Sequence, residues 1–406
     1  MLRLVIVLAV AAFAPCEAPA QNRLASGAEI EAYLSQAVGP GKIPGIVAMV
    51  ADRDGVLYSG AFGKQDVARN VPMNADTIFR LASMTNAITS VAVMMLIEEG
   101  KLGLDDPIAN YLPAFEDLEV IETFNPADKS YTTRPATTEM TIRHLLTHTS
   151  GLGYTFDSPI LAQLMAGKPG ASATSYPLLH DPGTKWTYGE STRVLGTLVE
   201  EISGQPLEDF MRERIFVPLG MGDTFYTVPK PKHDRVVTVH RTTDKGLEEA
   251  PNPEEITAPA YGDGGLSSTG ADYVKFMQMI LNGGRAHDGK RLLTEASVKL
   301  MDRNNTGNVR VELQPTTNEA LSLPFPLGAG RDTYGLGFQI TGAHDDKNAR
   351  APGSMAWAGI YNTEFWIDPQ RDVCAVLLMQ YLPFYDPKAI ETLQGFERRV
   401  YQGLAD

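Results

Sequence analysis

Cysteine, long apolar runs and basic charge are all scarce in this chain of 406 residues. Its two cysteines are Cys16 and Cys374, too few for a disulfide framework. The apolar run at residues 4–13 has about ten residues, whereas a membrane-spanning helix needs roughly 20. Lys and Arg total 35 against 49 Asp and Glu, for a formal charge of −14. This acidic balance disfavours nucleic acid and anionic membrane surfaces as partners.

Several motifs that carry chemistry are also missing. There is no Gly-x-Ser-x-Gly segment, which disfavours the nucleophile turn of α/β-hydrolases. No phosphate-binding G-x-x-x-x-G-K-[ST] loop occurs, although residues 262–265 form a glycine-rich stretch. His144 and His148 have the spacing of two zinc ligands on one helical face, but the glutamate of H-E-x-x-H is missing. We therefore predict no metal and no cofactor.

The first 20 residues are typical of an export signal. Arg3 supplies the positive charge, residues 4–13 the apolar stretch, and Ala18-Pro19-Ala20 a small-residue cleavage site. Cys16 could suggest a lipoprotein anchor, but the proline before it fits that motif poorly. We predict a signal peptide at 1–20, a mature domain at 21–406 without a stable membrane anchor, and a periplasmic or secreted location. Cys374, in an apolar strand-like run, is then interpreted as a buried structural thiol.

The pattern of apolar residues predicts strands near both ends of the chain and helices between them. A hairpin is expected over 46–58, and further strands over 334–340, 362–367 and 373–380. A helix that is apolar nearly all round follows Thr77 and stops at Gly100, as in the centre of a core. Further helices are expected over 194–202, 207–215, 271–281 and 387–401. Residues 302–332 lack periodicity and predict a long loop.

These elements predict an α/β fold, in which the two ends of the chain build one antiparallel sheet flanked by helices. The sheet lobe is expected at about 25–103 and 330–404, and a mostly helical lobe at about 104–300. A cleft between the lobes is the expected place for a site.

Three short segments stand out as candidates for chemistry. They are Ser83-Met84-Thr85-Asn86 at the start of the buried helix, Tyr188-Gly189-Glu190 after a Pro-Gly turn, and Trp357-Ala358-Gly359 before a strand. A serine at a helix start can be a simple N-cap. It can also be a nucleophile whose developing charge the helix N-terminus stabilises. Local sequence alone favours the cap.

In order and spacing the three segments resemble the motifs of the β-lactamase-related serine hydrolases, in particular class C β-lactamases and family VIII carboxylesterases. Those motifs are S-x-x-K, Y-x-N or Y-x-x, and K-T-G or W-G-G. Residues 141–152, 262–269 and 334–338 are similar to the same family, and the resemblance runs from about residue 30 to 402. It implies the β-lactamase and penicillin-binding-protein fold.

The resemblance also implies a role for each matching residue. Ser83 would be the nucleophile that forms an acyl-enzyme, and Tyr188 the base that takes its proton. The backbone N–H groups of Ser83 and of Ile360, after Gly359, would form the oxyanion hole. Trp357, Gly359 and Glu190 would line the substrate site.

This sequence departs from the family pattern at three of these positions. Asn86 replaces the lysine of S-x-x-K, and an amide can neither carry charge nor act as a base. Trp357 replaces the lysine of K-T-G, and Glu190 replaces the asparagine of Y-x-N. Both changes favour small neutral ester or amide substrates over anionic β-lactams. Lys185 and His148 are candidate replacement bases, although a surface position and a structural role are the simpler interpretations.

Two classes of function follow. We predict a serine hydrolase acting as a carboxylesterase on small neutral esters, with an amidase, peptidase or acyltransferase of the same family as a variant. The alternative is a catalytically weak or inactive relative that keeps the fold as a binding protein. The pair Ser83 and Tyr188 favours the first, and Asn86 the second.

Overall fold

The computed structural model describes residues 24–166, 175–243 and 245–404. The predicted export signal at 1–20, including Cys16, lies outside the described residues. Among the described residues, no helix is both long and apolar enough to cross a membrane.

The described residues form four sheets of very different size. Their strands are β1 Gly45–Ala51, β2 Val56–Asp66, β3 Val71–Pro72, β4 Phe79–Arg80, β5 Glu119–Phe124, β6 Tyr131–Pro135, β7 Val239–Thr243, β8 Gly246–Ala250, β9 Ser267–Ser268, β10 Thr333–Tyr334, β11 Gln339–Ile340, β12 Met355–Gly359, β13 Thr363–Asp368, β14 Val373–Leu378 and β15 Tyr381–Leu382.

The helices are long at the two ends of the chain and beside the sheet, and shorter elsewhere. They are α1 Gly27–Ala37, α2 Thr85–Glu98, α3 Ile142–Leu146, α4 Pro159–Leu164, α5 Ser191–Ser203, α6 Leu207–Met211, α7 Val217–Leu219, α8 Gly270–Leu281, α9 Glu295–Met301 and α10 Pro387–Gly403. One turn of π-helix, Arg212–Phe216, joins α6 to α7.

The main sheet confirms that the two ends of the chain build one antiparallel layer. Its order is β10-β11-β12-β13-β14-β1-β2-β3. The ends meet where β1 pairs with β14, with Val47 opposite Leu378 and Ala51 opposite Cys374. Cys374 is a free, buried thiol, as predicted. This arrangement makes β1 and β14 central strands, which explains why both are apolar along their whole length.

Alternate residues of β1 face two different layers of the core. Val47 and Met49 pack on the inner side with α2 and α8. Ile46 and Ala48 pack on the outer side with residues of α1 and α10. Helix α2 is buried from Thr85 to Leu96, confirming that it lies inside the core. The start of this helix is thereby held against the sheet.

One predicted strand is wrong in detail. Instead of one strand over 334–340, the chain forms two separate two-residue strands, β10 at 333–334 and β11 at 339–340. The reason is the turn at Gly335-Leu336-Gly337, where a Cβ at Gly335 would collide with the Met301 carbonyl oxygen. Gly337 has φ +91°, and a Cβ there would strike Ser90 of α2. The glycines therefore bring the chain close to α2 at the cost of a continuous strand.

The middle of the chain also contains β-structure that the helical prediction omitted. Strands β5 and β6 form a hairpin, and β7 and β8 form another that β15 extends. Many of their side chains are exposed, so they lack the apolar alternation of a half-buried strand. Residues 302–332 form the predicted long loop, from α9 to β10.

Candidate active site

Ser83 lies in a single 3₁₀ turn, Ala82–Met84, that leads directly into α2. The turn is fixed on the glycine-rich segment because Leu81 N donates to Leu266 O at 2.8 Å. Ala82 has φ +47°, in the left-handed region that residues with a side chain seldom adopt. The half-buried Ser83 is thus presented to a cavity at the N-terminus of α2.

Asn86, one helical turn after Ser83, is fully buried and lies on the same side of α2. Its Nδ2 donates a hydrogen bond of 3.0 Å to the Tyr188 hydroxyl oxygen. Its Oδ1 accepts no hydrogen bond from the described residues. The amide therefore connects the serine's helix to the tyrosine without placing a charge between them.

Tyr188 reaches Asn86 from the segment that precedes α5. Gly189, next to it, packs so closely on Leu152 that a Cβ would collide with the Leu152 carbonyl oxygen. Tyr188 is 3% exposed, and this burial raises the pKa of its hydroxyl to about 12. Ser83, Trp357 and Asn86 each offset part of that increase. Since burial disfavours the phenolate, Tyr188 is a phenol at neutral pH.

Trp357, the middle residue of β12, packs in an aromatic cluster around Tyr188. Its ring centroid lies 5.0 Å from that of Tyr188 and 5.5 Å from that of Tyr334. The indole Nε1 is buried without a partner that meets hydrogen-bond geometry, yet it lies close enough to lower the Tyr188 pKa. Trp357 therefore does more than line the cavity, because it adds a second neutral N–H group near the tyrosine.

The end of β12 approaches the serine turn very closely. A Cβ at Gly359 would collide with the Leu81 carbonyl oxygen, and Thr363 Oγ1 donates to that same oxygen at 3.2 Å. Ile360, the next residue, lines the cavity together with Ser83. The backbone N–H groups of Ser83 and Ile360 remain the predicted oxyanion hole, and this close packing keeps their two segments side by side.

Glu190 does not join the other predicted site residues at the cavity. Its carboxylate pairs with Arg193 Nη1 at 2.6 Å and accepts a hydrogen bond of 3.1 Å from Tyr176. Arg193 also pairs with Asp263, at 3.1 Å, in the glycine-rich segment. The carboxylate of Glu190 is thus held by Arg193 and Tyr176 instead of being presented to a substrate. The spacing of Glu190 and Arg193, three residues apart at the start of a helix, was the available sequence signal.

The cavity next to Ser83 has a volume of about 490 Å³. Tyr188, Trp357 and Ile360 line it beside the serine, and the long loop contributes a wall at residues 325–328. Tyr154 and Phe156 line the same region, with ring centroids 5.2 Å apart. The sequence did not identify these loop residues, because aromatic residues in an irregular segment are equally typical of ordinary packing.

Neither of the two candidate replacement bases lines the cavity beside Ser83. Lys185 is exposed and does not line this cavity. His148 is buried behind Tyr188, with ring centroids 4.8 Å apart, and burial lowers its pKa to about 3.

His144, which has the spacing of a zinc ligand with His148, instead accepts a hydrogen bond from Thr141 N in the capping box of α3. No cluster of three or more metal-ligating side chains occurs among the described residues.

An antiparallel sheet with a serine at the start of its buried helix is the arrangement of β-lactamases and penicillin-binding proteins. The chain belongs to the Beta-lactamase family, whose model matches residues 30–395. This confirms the family and the fold predicted from the three motifs.

Relatives resemble the chain along nearly its whole length. It is 32% identical over 405 residues to Protein Rv1367c of Mycobacterium tuberculosis, covering 92% of this chain and 98% of that protein. It is 31% identical over 400 residues to monacolin J acid methylbutanoyltransferase of Aspergillus terreus, covering 92% and 95%. Among solved structures, a mutant of simvastatin synthase from Aspergillus terreus superimposes with a TM-score of 0.78 at 28% identity, covering 93% and 95%.

Proposed function

We propose that the protein transfers acyl groups through an acyl-enzyme on Ser83, from small neutral esters to water or to an alcohol. The observation that carries this proposal is that Ser83 and Tyr188 line one cavity, although about 105 positions separate them in sequence, and that Asn86 donates a hydrogen bond to Tyr188. The β-lactamase family membership supports the same chemistry.

In the acylation step, which starts from the phenolate form of Tyr188, Ser83 Oγ bonds to the ester carbonyl carbon while its proton passes to the phenolate oxygen. The carbonyl oxygen becomes the oxyanion, which the N–H groups of Ser83 and Ile360 would hold. Collapse of that intermediate breaks the bond to the leaving alcohol, which takes up the proton. Water or a second alcohol then attacks the acyl-enzyme by the reverse sequence.

Among the described residues, no cationic side chain is a main influence on the pKa of Tyr188, so the proposed proton transfer takes place without one. With a pKa of about 12, Tyr188 is a phenolate in roughly one molecule in 10⁵ at pH 7. Asn86 and Trp357 are neutral donors, which stabilise a phenolate less than an ammonium would. We therefore expect slow turnover at neutral pH, and faster turnover of esters with good leaving groups.

The acceptor defines two variants of this function. Hydrolysis corresponds to the esterase predicted from sequence. Transfer to an alcohol is supported by the name of one relative, a methylbutanoyltransferase that is 31% identical over 92% of this chain. The aromatic lining of the cavity beside Ser83 suits either variant, because it binds the apolar part of a neutral acyl group.

The test is labelling by a fluorophosphonate together with turnover of p-nitrophenyl butyrate. Wild-type protein should be labelled at Ser83 and should hydrolyse the ester faster than penicillin G or a cephalosporin. Ser83→Ala should abolish both signals, and Tyr188→Phe should reduce turnover by at least about 100-fold. Turnover that survives Ser83→Ala would contradict the proposal, as would cephalosporin turnover as fast as ester turnover.

A non-catalytic binding protein is the second candidate, and Asn86 is the observation that favours it. The amide leaves the Tyr188 pKa at about 12, whereas efficient base catalysis needs a pKa close to the working pH. Folded protein that neither reacts with the fluorophosphonate nor hydrolyses any ester between pH 6 and 10 would establish this second function.

We also propose that the protein is exported, on the basis of residues 1–20. Mass spectrometry of the protein recovered from the periplasm or medium should show a mature N-terminus at Gln21. Full-length protein confined to the cytoplasm would contradict this part of the proposal.

A further inference from the structure

The cavity does not end beside Ser83 but continues past the edge of β12 to the outer face of the sheet. Strand β11 pairs with β12 at Met355 and Ala356 and extends no further along it. The cavity lining includes Ser83 on the inner side and Glu397 of α10 on the outer side. The short β11 thus leaves a passage between the two faces.

Small side chains on the outer face of β12 form the floor of this passage. Successive strand residues point to opposite faces, and Trp357 packs in the inner core while Ala356 packs in the outer core. The same alternation turns Ala358 towards the face of Ala356, although Ala358 also contacts residues of the inner core. Both alanines line the cavity. Larger residues at these two positions would fill the space under α10.

Glu364 lies beside this floor, because the strand register places it opposite Ala358. It is 8% exposed and lines the cavity, but its carboxyl group accepts no hydrogen bond from the described residues. An ionisable side chain that is buried without a hydrogen-bond partner is costly unless a ligand satisfies it.

The other charged groups of this compartment compensate each other. Arg350 makes two hydrogen bonds of 2.9 Å to the Glu397 carboxylate and also lines the cavity. Tyr385 accepts a hydrogen bond of 2.9 Å from Leu327 N. The pair of Arg350 and Glu397 carries no net charge, and Glu364, whose pKa is raised by burial to about 8, adds none at neutral pH. Arg331 and Asp332 form a second ion pair in the cavity lining, and the exposed Asp346 and Arg398 have opposite charges. The compartment therefore suits a neutral group that can both donate and accept hydrogen bonds.

We propose that this outer compartment, formed by Ala356, Ala358, Glu364, Arg350 and Glu397, is a second binding site that holds a neutral hydroxyl group of the substrate. Glu364 is its recognition residue, and the hydroxyl lies remote from the carbonyl that Ser83 attacks. The inference rests on the proposed acyl transfer, and it assigns the polar end of the substrate to the side of the sheet away from the serine.

The test compares pairs of p-nitrophenyl esters that differ at the far end of the acyl chain. Each ω-hydroxy ester, with acyl chains of 4 to 10 carbons, is matched with the alkyl ester of equal heavy-atom count. In wild type we expect kcat/KM for the hydroxy ester to exceed that of its alkyl partner by about tenfold at the chain length that reaches the outer compartment. At the shortest chain length the two esters should react equally fast. Glu364→Leu should remove this preference, and Glu364→Gln should retain most of it. The exposed Glu254 provides the matched control, since Glu254→Gln should keep the full preference.

Ala358→Leu gives a second variant if Glu364→Leu does not fold, because it fills the passage and should also remove the preference. Equal rates for every pair in wild type would overturn the proposal, and so would a preference that survives both variants. If no ester is turned over, acyl transfer has failed, and the compartment is tested separately with Ser83→Ala protein. Saturation-transfer NMR should then show stronger binding of 1,6-hexanediol than of 1-hexanol, a difference that Glu364→Leu abolishes. Equal binding of the two alcohols would overturn the compartment by itself.

Discussion

In the proposed mechanism Asn86 governs the proton chemistry open to Ser83, because it contacts the Tyr188 oxygen from the position where the family motif has lysine. An amide at 3.0 Å can orient the phenol but supplies no charge to favour the phenolate. Trp357 adds an indole N–H from the strand side, also without charge. The two family lysines have thus been replaced by an amide that donates to the Tyr188 oxygen and an indole that lies near it, and neither carries a charge.

Replacing Asn86 by lysine should increase the activity that depends on Ser83. An ammonium beside the Tyr188 oxygen would lower the pKa of that hydroxyl, and base assistance is typically worth about 100- to 10,000-fold. We expect Asn86→Lys to raise kcat/KM for p-nitrophenyl butyrate at pH 7 by at least about tenfold, given that the lysine must be buried.

Asn86→Met is the matched control, since it has a similar length and no charge, and it should give no gain. Adding Ser83→Ala to Asn86→Lys should abolish the increase. A well-folded Asn86→Lys protein without any gain would show that the pocket needs more than this one charge.

The pH dependence of turnover separates Tyr188 from the other candidate bases. The active form is the phenolate, so with a pKa of about 12 kcat/KM should rise nearly tenfold per pH unit from pH 7 to 10 without levelling off. His148, with a pKa lowered to about 3, would instead give a flat profile over this range. Rates of ester hydrolysis, corrected for the spontaneous reaction, would distinguish the two bases. In Asn86→Lys, kcat/KM should level off at a lower pH than in wild type, because the lysine lowers the Tyr188 pKa.

At the scale of secondary-structure elements, the site depends on how closely β12 approaches the turn before α2. Backbone atoms make this contact, because the Leu81 carbonyl oxygen would collide with a Cβ at Gly359. The same oxygen accepts a hydrogen bond from Thr363 Oγ1. The sequence placed Gly359 among the candidate site residues, and a glycine permits a close backbone approach. The sequence could not show that the partner was Leu81, because that contact spans 278 residues, from 81 to 359, and has no periodic signal.

Gly359→Ala should therefore disrupt catalysis more than folding. The added methyl group must push β12 away from Leu81, which separates Ile360 from Ser83 and disturbs the oxyanion hole. We expect kcat to fall by about 100-fold or more and the free energy of unfolding to fall by about 1–3 kcal/mol. Esterase assays and urea denaturation measure the two effects.

Gly222 offers a matched control, because nothing lies within 4 Å of a Cβ at that position. Gly222→Ala should change neither quantity appreciably. A Gly359→Ala protein with unchanged kcat would show that Ile360 takes no part in holding the oxyanion.

At the scale of the whole molecule, the sheet built from both ends was predictable because β1 and β14 are apolar over complete strands. The glycines that divide residues 334–340 into β10 and β11 were visible, but a strand pattern does not show which backbone they approach. Glu364 was overlooked for a related reason. The segment 362–367 that contains it has the pattern of a strand, but local sequence shows neither that Glu364 pairs with Ala358 nor that a cavity lies beside β12. Local patterns therefore predicted the framework, and long-range contacts shaped the site.

Two buried carboxyl groups should make the stability of the whole fold depend on pH. Burial raises the pKa of Glu364 and of Asp157 to about 8 each; Arg350 opposes the rise at Glu364, and Glu397 adds to it. Both carboxyl groups hold a proton in the folded state that the unfolded chain has released, so the free energy of unfolding should fall as pH rises towards 8. Burial lowers the pKa of His148 to about 3, so His148 changes the free energy of unfolding only below about pH 6.5 and adds nothing to the slope above it.

Between pH 6.5 and 8 the loss should reach at most about 1.4 kcal/mol per pH unit for each carboxyl group. Urea denaturation of Glu364→Gln, which cannot ionise, should show roughly half the wild-type slope in this interval. The slope should flatten above about pH 8, once both groups are ionised in the folded protein as well. If Glu364→Gln has the same slope as wild type, Glu364 does not change ionisation state in this range, and the pH dependence has another source.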